Sequence, residues 1–167
     1  MRVNVITLGC SKNLIDSERV LKLFEDAGIE AVHEAPHADG DIVVVNTCGF
    51  IGDAKEESIN TILEYVEAKI DGLIQALYVM GCLSQRYAND LPAEIPEVDK
   101  WYGKFDWSQI VSDILSVSNN NNTKYDRVVT TPPHHAYLKI AEGCNRFCAF
   151  CAIPIITGRF TSRSIEE

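Results

Sequence analysis

The chain has 167 residues, 46% of them hydrophobic, which is enough to bury one substantial core and leave a remainder. No apolar run comes near the roughly 18 residues that identify a membrane-spanning helix, and the N-terminus enters a strand pattern without the features of a secretory signal. We therefore expect a cytoplasmic, reducing location without membrane contact, in which the six cysteines act as ligands rather than as disulfides.

The net charge of −9 is unevenly distributed. The stretch 134–167 has four basic and three acidic side chains, so the preceding 133 residues carry −10. An acidic surface binds phosphates poorly, which argues against direct nucleic-acid binding by this part of the chain. It suits a basic protein partner, and it equally suits a soluble surface without any recognition role.

The first two thirds of the chain alternate short apolar runs with amphipathic stretches. Strands that are apolar on both faces, as in a parallel sheet covered by helices, are predicted at Val3–Thr7, Ile42–Asn46 and Ala76–Met80, with a weaker one at Glu30–His33. Amphipathic helices are predicted at Asn13–Ala27, Asp53–Ile70 and Trp107–Val117. This alternation predicts an α/β fold with an open, mostly parallel sheet and flanking helices.

A polar stretch then interrupts the pattern. Asn119–Asn122 is of low complexity and two consecutive prolines follow soon after, so 119–133 is predicted to be a linker or a long surface loop. It would separate a first domain, 1–118, from a second part, 134–167.

A cysteine-rich loop follows the last predicted strand, Tyr137–Ala141. Cys144, Cys148 and Cys151 have the spacing Cys-x3-Cys-x2-Cys, and Phe150 precedes the last thiol. Three thiolates in so short a loop can hold three irons of a cubane iron–sulfur cluster and leave the fourth iron without a protein ligand. An open coordination position of this kind is where chemistry takes place.

Two other chemistries compete for this loop. A structural zinc site favours paired Cys-x2-Cys units and a fourth ligand, for which the near candidates are His134 and His135, both upstream. A disulfide framework is disfavoured by the chain length and by the strand–helix alternation. The chain stops sixteen residues beyond Cys151, too few for a second sheet domain, so we expect the second part to be truncated.

The remaining three cysteines, Cys10, Cys48 and Cys82, each follow an apolar strand. Because parallel strands end at one edge of a sheet, the three thiols are expected to gather where open α/β sheets build their sites. Each cysteine also precedes a helix, whose N-terminal dipole favours a thiolate. A lone cysteine is often a small buried hydrophobe, but three in the same position predict a second three-thiolate cluster.

Other polar side chains carry weaker predictions. Lys12, Asn13 and Asn46 are candidates for charge or hydrogen bonds to the strand-end thiols, and surface or capping roles suit them equally. Solvated positions are predicted for the histidines and for one acidic pair, and packing roles for both tryptophans: His33, His37, His134, His135, Glu56, Glu57, Trp101 and Trp107.

With both cysteine sets in view, the chain resembles the radical S-adenosylmethionine (SAM) methylthiotransferases. The resemblance covers nearly the whole chain and is carried by Gly9–Glu18, Asn46–Ile51, Ala54–Ile59, Gly81–Tyr87 and Lys139–Cys144. The stretches after Cys10 and Cys48 are most similar to the branch that modifies an aspartate of the small-subunit ribosomal protein S-twelve. The alternatives are the branch that modifies tRNA and a non-catalytic metal-binding module.

The resemblance implies two 4Fe-4S clusters and SAM as cofactors. Cys144, Cys148 and Cys151 would hold the cluster that binds SAM and cleaves it to a 5′-deoxyadenosyl radical, with Phe150 near the adenine. A flavodoxin- or ferredoxin-like protein would supply the electron.

By the same resemblance, Cys10, Cys48 and Cys82 would hold an auxiliary cluster that carries the sulfur to be methylated and inserted at an unactivated C–H bond. The first domain, 1–118, would be a methylthiotransferase N-terminal domain, and 134–167 the truncated start of a radical SAM barrel. This fragment alone is expected to be inactive, since most SAM contacts would come from strands that it lacks.

Overall fold

A computed structural model describes residues 1–35, 41–115 and 126–166. Its centre is a five-stranded sheet whose paired strands are all parallel, in the order β2-β1-β3-β4-β5. The strands are β1 (Arg2–Thr7), β2 (Glu30–His33), β3 (Ile42–Thr47), β4 (Ala76–Gly81) and β5 (Lys100–Trp101). All six residues of β3 are buried, because helices cover both faces of a parallel sheet.

Five helices accompany this sheet in the described ranges 1–35 and 41–115. They are α1 (Ser11–Asp26), α2 (Gly52–Ile70), α3 (Cys82–Arg86), α4 (Leu91–Glu94) and α5 (Trp107–Leu115). One hydrophobic core includes Val5, Phe24 and Ile110, which join β1, α1 and α5. The other core includes Val45 and Ile62, which join β3 and α2 on the opposite face. The fold is therefore doubly wound, and its topological switch lies between β1 and β3, the point where open α/β sheets bind ligands.

The predicted α/β class and the four predicted strands of the sheet are confirmed, with bounds shifted by at most one residue. The predicted helices are also present, and the last one is described as far as Leu115. Short elements escaped prediction, since β5 has two residues and α3 has five. No helix within the described ranges is long and apolar enough to cross a bilayer.

The described stretch 126–166 contains three short elements: β6 (Ala141–Glu142), α6 (Ile153–Thr157) and β7 (Thr161–Ser162), with β6 antiparallel to β7. Positions 119–125 of the predicted linker lie outside the described residues. Its described part, 126–133, contains no helix or strand and is attached to α1, where Val128 donates its backbone N–H to Glu18 O at 3.1 Å.

The predicted strand Tyr137–Ala141 is wrong except at its last residue. Leu138 and Ile140 are exposed, whereas Lys139 between them is buried, which reverses the burial that an apolar strand would show. The carbonyl of Tyr137 accepts a hydrogen bond from the Arg127 guanidinium instead of pairing with a neighbouring strand. This part of the chain is therefore held by individual side-chain and backbone contacts and not by a strand ladder.

Candidate functional site

Three neighbouring strands end at the same level and bring three thiols to one cavity. In the parallel register Thr7 faces Asn46 and Thr47 faces Gly81, so the loops after β1, β3 and β4 begin side by side. Cys10, Cys48 and Cys82 all line a cavity of about 760 Å³ at this edge. The structure therefore brings the three strand-end cysteines together, as their shared position after a strand predicts.

Glycines allow the strand ends to approach one another closely. A Cβ on Gly9 would lie 2.7 Å from Cys48 Cβ and 3.0 Å from its Sγ, and one on Gly49 would lie 2.7 Å from the backbone of Cys82. Such distances exclude any side chain at these two positions. The glycines thus allow the loops that carry the three thiols to pack directly against one another.

Asn13 lines the cavity, and Asn46 supports it from behind. Asn13 donates from Nδ2 to the carbonyls of Leu8 and Thr47 at 2.9 Å each, and its Oδ1 accepts from the Cys82 thiol at 3.6 Å. Asn46 donates from Nδ2 to Asn13 O at 2.8 Å and to Ser17 Oγ at 2.9 Å. Both side chains are buried. Asn13 makes the predicted hydrogen bond to a thiol, whereas Asn46 reaches the site only through Asn13.

Ser58 holds the backbone of Cys48 and was not found from the sequence. Its hydroxyl accepts from Cys48 N at 3.0 Å, and donates to Ala54 O at 2.8 Å or to Cys48 O at 3.2 Å. The sequence feature that could have revealed this role is one small polar residue on the face of α2 that is otherwise apolar and buried. Ser58 therefore connects the N-terminal half of α2 to the strand-end cysteine.

The three thiols differ in exposure: Cys10 is exposed, Cys48 is buried and Cys82 is intermediate. Burial raises the pKa of the Cys82 thiol, and the Lys104 ammonium counteracts that rise. Since the thiolate is the form that binds iron, a nearby cation favours the ligating state of this cysteine.

Lys104 lines the cavity and belongs to an ionic network. Its Nζ lies 2.9 Å from Asp16 Oδ2 and 3.7 Å from Glu142 Oε1, while Lys139 Nζ lies 2.7 Å from Asp16 Oδ1. Lys12, also on the cavity wall, lies 3.5 Å from Glu142 Oε2. Apart from Lys12, none of these residues was identified as functional from its sequence pattern.

Within this network, Lys104 and Glu142 keep their charges although both are shielded from solvent. Desolvation opposes the charge on Lys104, but the attraction of Asp16, then of the Cys82 thiolate and Glu142, outweighs it and raises the pKa of this lysine. Desolvation likewise opposes the charge on Glu142, and Lys104 with Lys139 outweighs it, so the pKa of the carboxyl is lowered. The cavity edge therefore contains fixed charges of both signs.

The second cysteine set lies in an exposed loop beside the same cavity. Cys144 donates its N–H to Gly158 O at 3.1 Å, and Cys151 donates to Cys148 O at 3.0 Å. Phe147 has a φ of 47°, in the left-handed region that reverses the chain between the first two thiols. Helix α6 follows, and its Ile153, Ile156 and Thr157 line the cavity.

Neither cysteine set is arranged as a site for one metal ion, since no three Cys, His, Asp or Glu side chains of the described chain are grouped closely enough. In a cubane cluster each thiolate binds a different iron, so the ligands stand farther apart than around one ion. The shared cavity, with Gly9 in its lining, fits such a group at Cys10, Cys48 and Cys82. The assignment of either cysteine set to a cluster remains a prediction.

The weaker predictions have mixed outcomes. His33 is not solvated as predicted: its side chain is 17% exposed and Nε2 lies 2.8 Å from Thr7 Oγ1, because the parallel register places β2 beside β1.

Phe150 is 97% exposed, and its adenine contact remains a prediction. Solvated positions are confirmed for His134, His135, Glu56 and Glu57, and packing against the two cores for Trp101 and Trp107, while His37 lies outside the described residues.

We expect Gly81→Ala to lower the free energy of unfolding by at least about 2 kcal/mol, from backbone strain and steric overlap. Gly81 has a φ of 105°, and a Cβ there would lie 2.5 Å from Asn46 Oδ1. Gly72→Ala is the matched control, because its φ of 73° is also positive but no atom lies within 4 Å of the added Cβ. Urea denaturation of both variants measures the difference, and equal losses would contradict the close approach of Gly81 to β3.

The fold and site define a class of protein: a doubly wound α/β domain that gathers three thiols at its switch point, followed by a loop with three more. Residues 2–103 match the family described as "Uncharacterized protein family UPF0004", and the chain belongs to this family.

Named relatives match over 99% of the chain. They are called "Ribosomal protein uS12 methylthiotransferase RimO", with 55% identity in Bacteroides thetaiotaomicron, 60% in Porphyromonas gingivalis and 49% in Cytophaga hutchinsonii. The similarity to methylthiotransferases inferred from the thiol motifs is thereby confirmed. The chain spans 38% of the length of each of these relatives.

Proposed function

We propose that this chain forms part of a radical SAM methylthiotransferase that inserts a methylthio group at an unactivated C–H bond of an aspartate in ribosomal protein uS12. The observation that carries the proposal is the cavity shared by Cys10, Cys48 and Cys82 at the sheet's switch point. Relatives named for this activity are 49–60% identical over almost the whole chain. The 167 residues by themselves, which span 38% of the length of these relatives, are proposed to be inactive.

The proposed cofactors are two 4Fe-4S clusters and SAM, which would supply radical chemistry, a sulfur atom and a methyl group. Cys10, Cys48 and Cys82 would hold the auxiliary cluster. Cys144, Cys148 and Cys151 would hold the SAM-binding cluster. The two sets together include all six cysteines of the chain. A three-thiolate set leaves one iron open in each case.

The chain's own residues would position and shield these groups. Asn13 Oδ1 orients the Cys82 thiol, and Ser58 fixes the backbone of Cys48. Lys104 supplies a positive charge beside the thiols. The apolar side chains of Ile153 and Ile156 line the cavity and limit water access from the side of α6.

The proposed domain organisation is a methylthiotransferase N-terminal domain at 1–118, a linker at 119–133 and the start of a radical SAM domain at 134–167. In support, the family match ends at residue 103 and the described sheet ends with β5. Phe150 is proposed to contact the adenine of SAM, for which its exposed ring is available.

The proposed partners are uS12 as substrate and a flavodoxin- or ferredoxin-like electron donor, in a cytoplasmic setting without membrane contact. The net charge of −9 supports a basic protein partner and disfavours direct nucleic-acid binding by this part.

Mass spectrometry of uS12 and of tRNA nucleosides from a strain lacking the gene tests the proposal. The aspartate of uS12 is expected to lose its methylthio group, while tRNA keeps its modifications. Restoring the gene should return the group, and restoring it with Cys48→Ala should not. Loss of a methylthio group from tRNA alone would identify the RNA-modifying branch, and no loss from either would favour a non-catalytic metal-binding module.

A further inference from the structure

Asp16 joins two distant parts of the chain in a buried position. Its side chain is 1% exposed, and each of its carboxylate oxygens contacts a different lysine. Lys104 follows β5 in the first domain, and Lys139 precedes the second cysteine loop. The two lysines are 88 and 123 residues away from Asp16 along the sequence. One carboxylate therefore connects the sheet domain with the segment that leads to Cys144.

The network continues from Asp16 to the cavity. Glu142, two residues before Cys144, contacts Lys139 and lies 3.7 Å from Lys104, and both Glu142 and Lys104 line the cavity. A displacement of the 139–142 segment would therefore move a wall of the cavity and the entry to the second cysteine loop together.

A second carboxylate on the same helix holds the start of this segment. Glu18 accepts from Thr130 N at 2.7 Å through one oxygen and contacts Arg127 Nη1 at 2.7 Å through the other. Its backbone carbonyl also accepts from Val128. Since residues 126–140 contain no helix or strand, these contacts replace the hydrogen bonds that an element of secondary structure would provide.

We propose that Asp16 and Lys139 are positioning residues that fix the second cysteine loop relative to the strand-end thiols. Buried ion pairs with few alternative partners specify one arrangement, because any other leaves a charge desolvated and unpaired. The docking of 126–142 onto α1 does not depend on the proposed function, but the consequence for two clusters does.

The first test uses hydrogen exchange on the full chain without iron. Lys139→Met removes the ammonium group that pairs the segment with Asp16, while Asp16 keeps its contact with Lys104. We expect exchange at the hydrogen-bonded amides of Val128 and Thr130 to rise at least about tenfold, with β3 unchanged. Lys100→Met is the control, because it breaks an exposed pair with Asp113 inside the first domain. Unaltered exchange at Val128 and Thr130 in the Lys139 variant would overturn the docking.

The second test separates positioning from stability. After iron is loaded, electron paramagnetic resonance of the reduced chain reports the coupling between two clusters. Lys139→Met is expected to alter that coupling with iron content unchanged, and Lys139→Arg is expected to restore it, since a guanidinium can also bridge two carboxylates. Faster exchange with unaltered coupling would make the network merely stabilising and overturn its positioning role. Two absent clusters would contradict the proposed function, while the exchange result still decides the docking.

Discussion

Cys48→Ala is expected to remove about half of the iron that the chain binds after anaerobic reconstitution, and Cys144→Ala the other half. The reason is that each set of three cysteines would hold one 4Fe-4S cluster, and loss of one thiolate leaves only two protein ligands. Iron and sulfide analysis with the iron–sulfur absorbance measures the result. Thermal unfolding of each variant checks that the chain still folds.

Double variants supply the control for this experiment. Cys48→Ala combined with Cys82→Ala should lose no more iron than Cys48→Ala alone, because both residues line the same cavity. Cys48→Ala combined with Cys144→Ala should lose nearly all of it. Complete loss in each single variant would indicate one shared site, and stoichiometric zinc without iron absorbance would indicate a metal-binding module.

Asp16→Ala is expected to lower the free energy of unfolding by about 3–5 kcal/mol, the usual effect of removing one partner from a buried ion pair. The substitution leaves Lys104 and Lys139 buried with fewer opposite charges, and both side chains are less than 5% exposed. Urea denaturation of the chain without iron measures the loss.

Asp26→Ala on the same helix is the matched control. Asp26 pairs with Lys22 at 2.8 Å near the surface, and solvent screens such pairs so that they contribute little to stability. Adding Lys139→Met to Asp16→Ala should destabilise less than the two separate effects combined, because one of the uncompensated lysines is then removed. A loss for Asp16→Ala no larger than that for Asp26→Ala would show that water or other groups satisfy the two lysines.

The central strands were predictable because their own residues nearly suffice to specify a buried β-strand. The run Ile42–Thr47 is apolar and β-branched over most of its length, and no other element would bury it so fully. The gathering of Cys10, Cys48 and Cys82 followed from one rule, that parallel strands end at one edge. The size of the cavity and the contribution of α6 to its wall did not follow from any local pattern.

The buried charges could not be predicted, since an aspartate or lysine in an amphipathic stretch is normally solvated. Asp16 is buried on α1 although its side chain is charged. Lys139 is buried between two apolar residues that are exposed. His33 is a similar case, because its partner Thr7 belongs to a different strand. Each of these side chains acquires its environment from residues that are distant in sequence.

The amino-acid order by itself determined the α/β class, the strand positions and the placement of three thiols at strand ends, because hydrophobic period is a local property and strands joined through helices run parallel. Only the tertiary structure decided which charges are buried and how the 126–142 segment reaches the cavity. The physical reason is that an ion pair is stable in the interior only when both partners and their hydrogen bonds are already in place. That condition depends on the assembled chain.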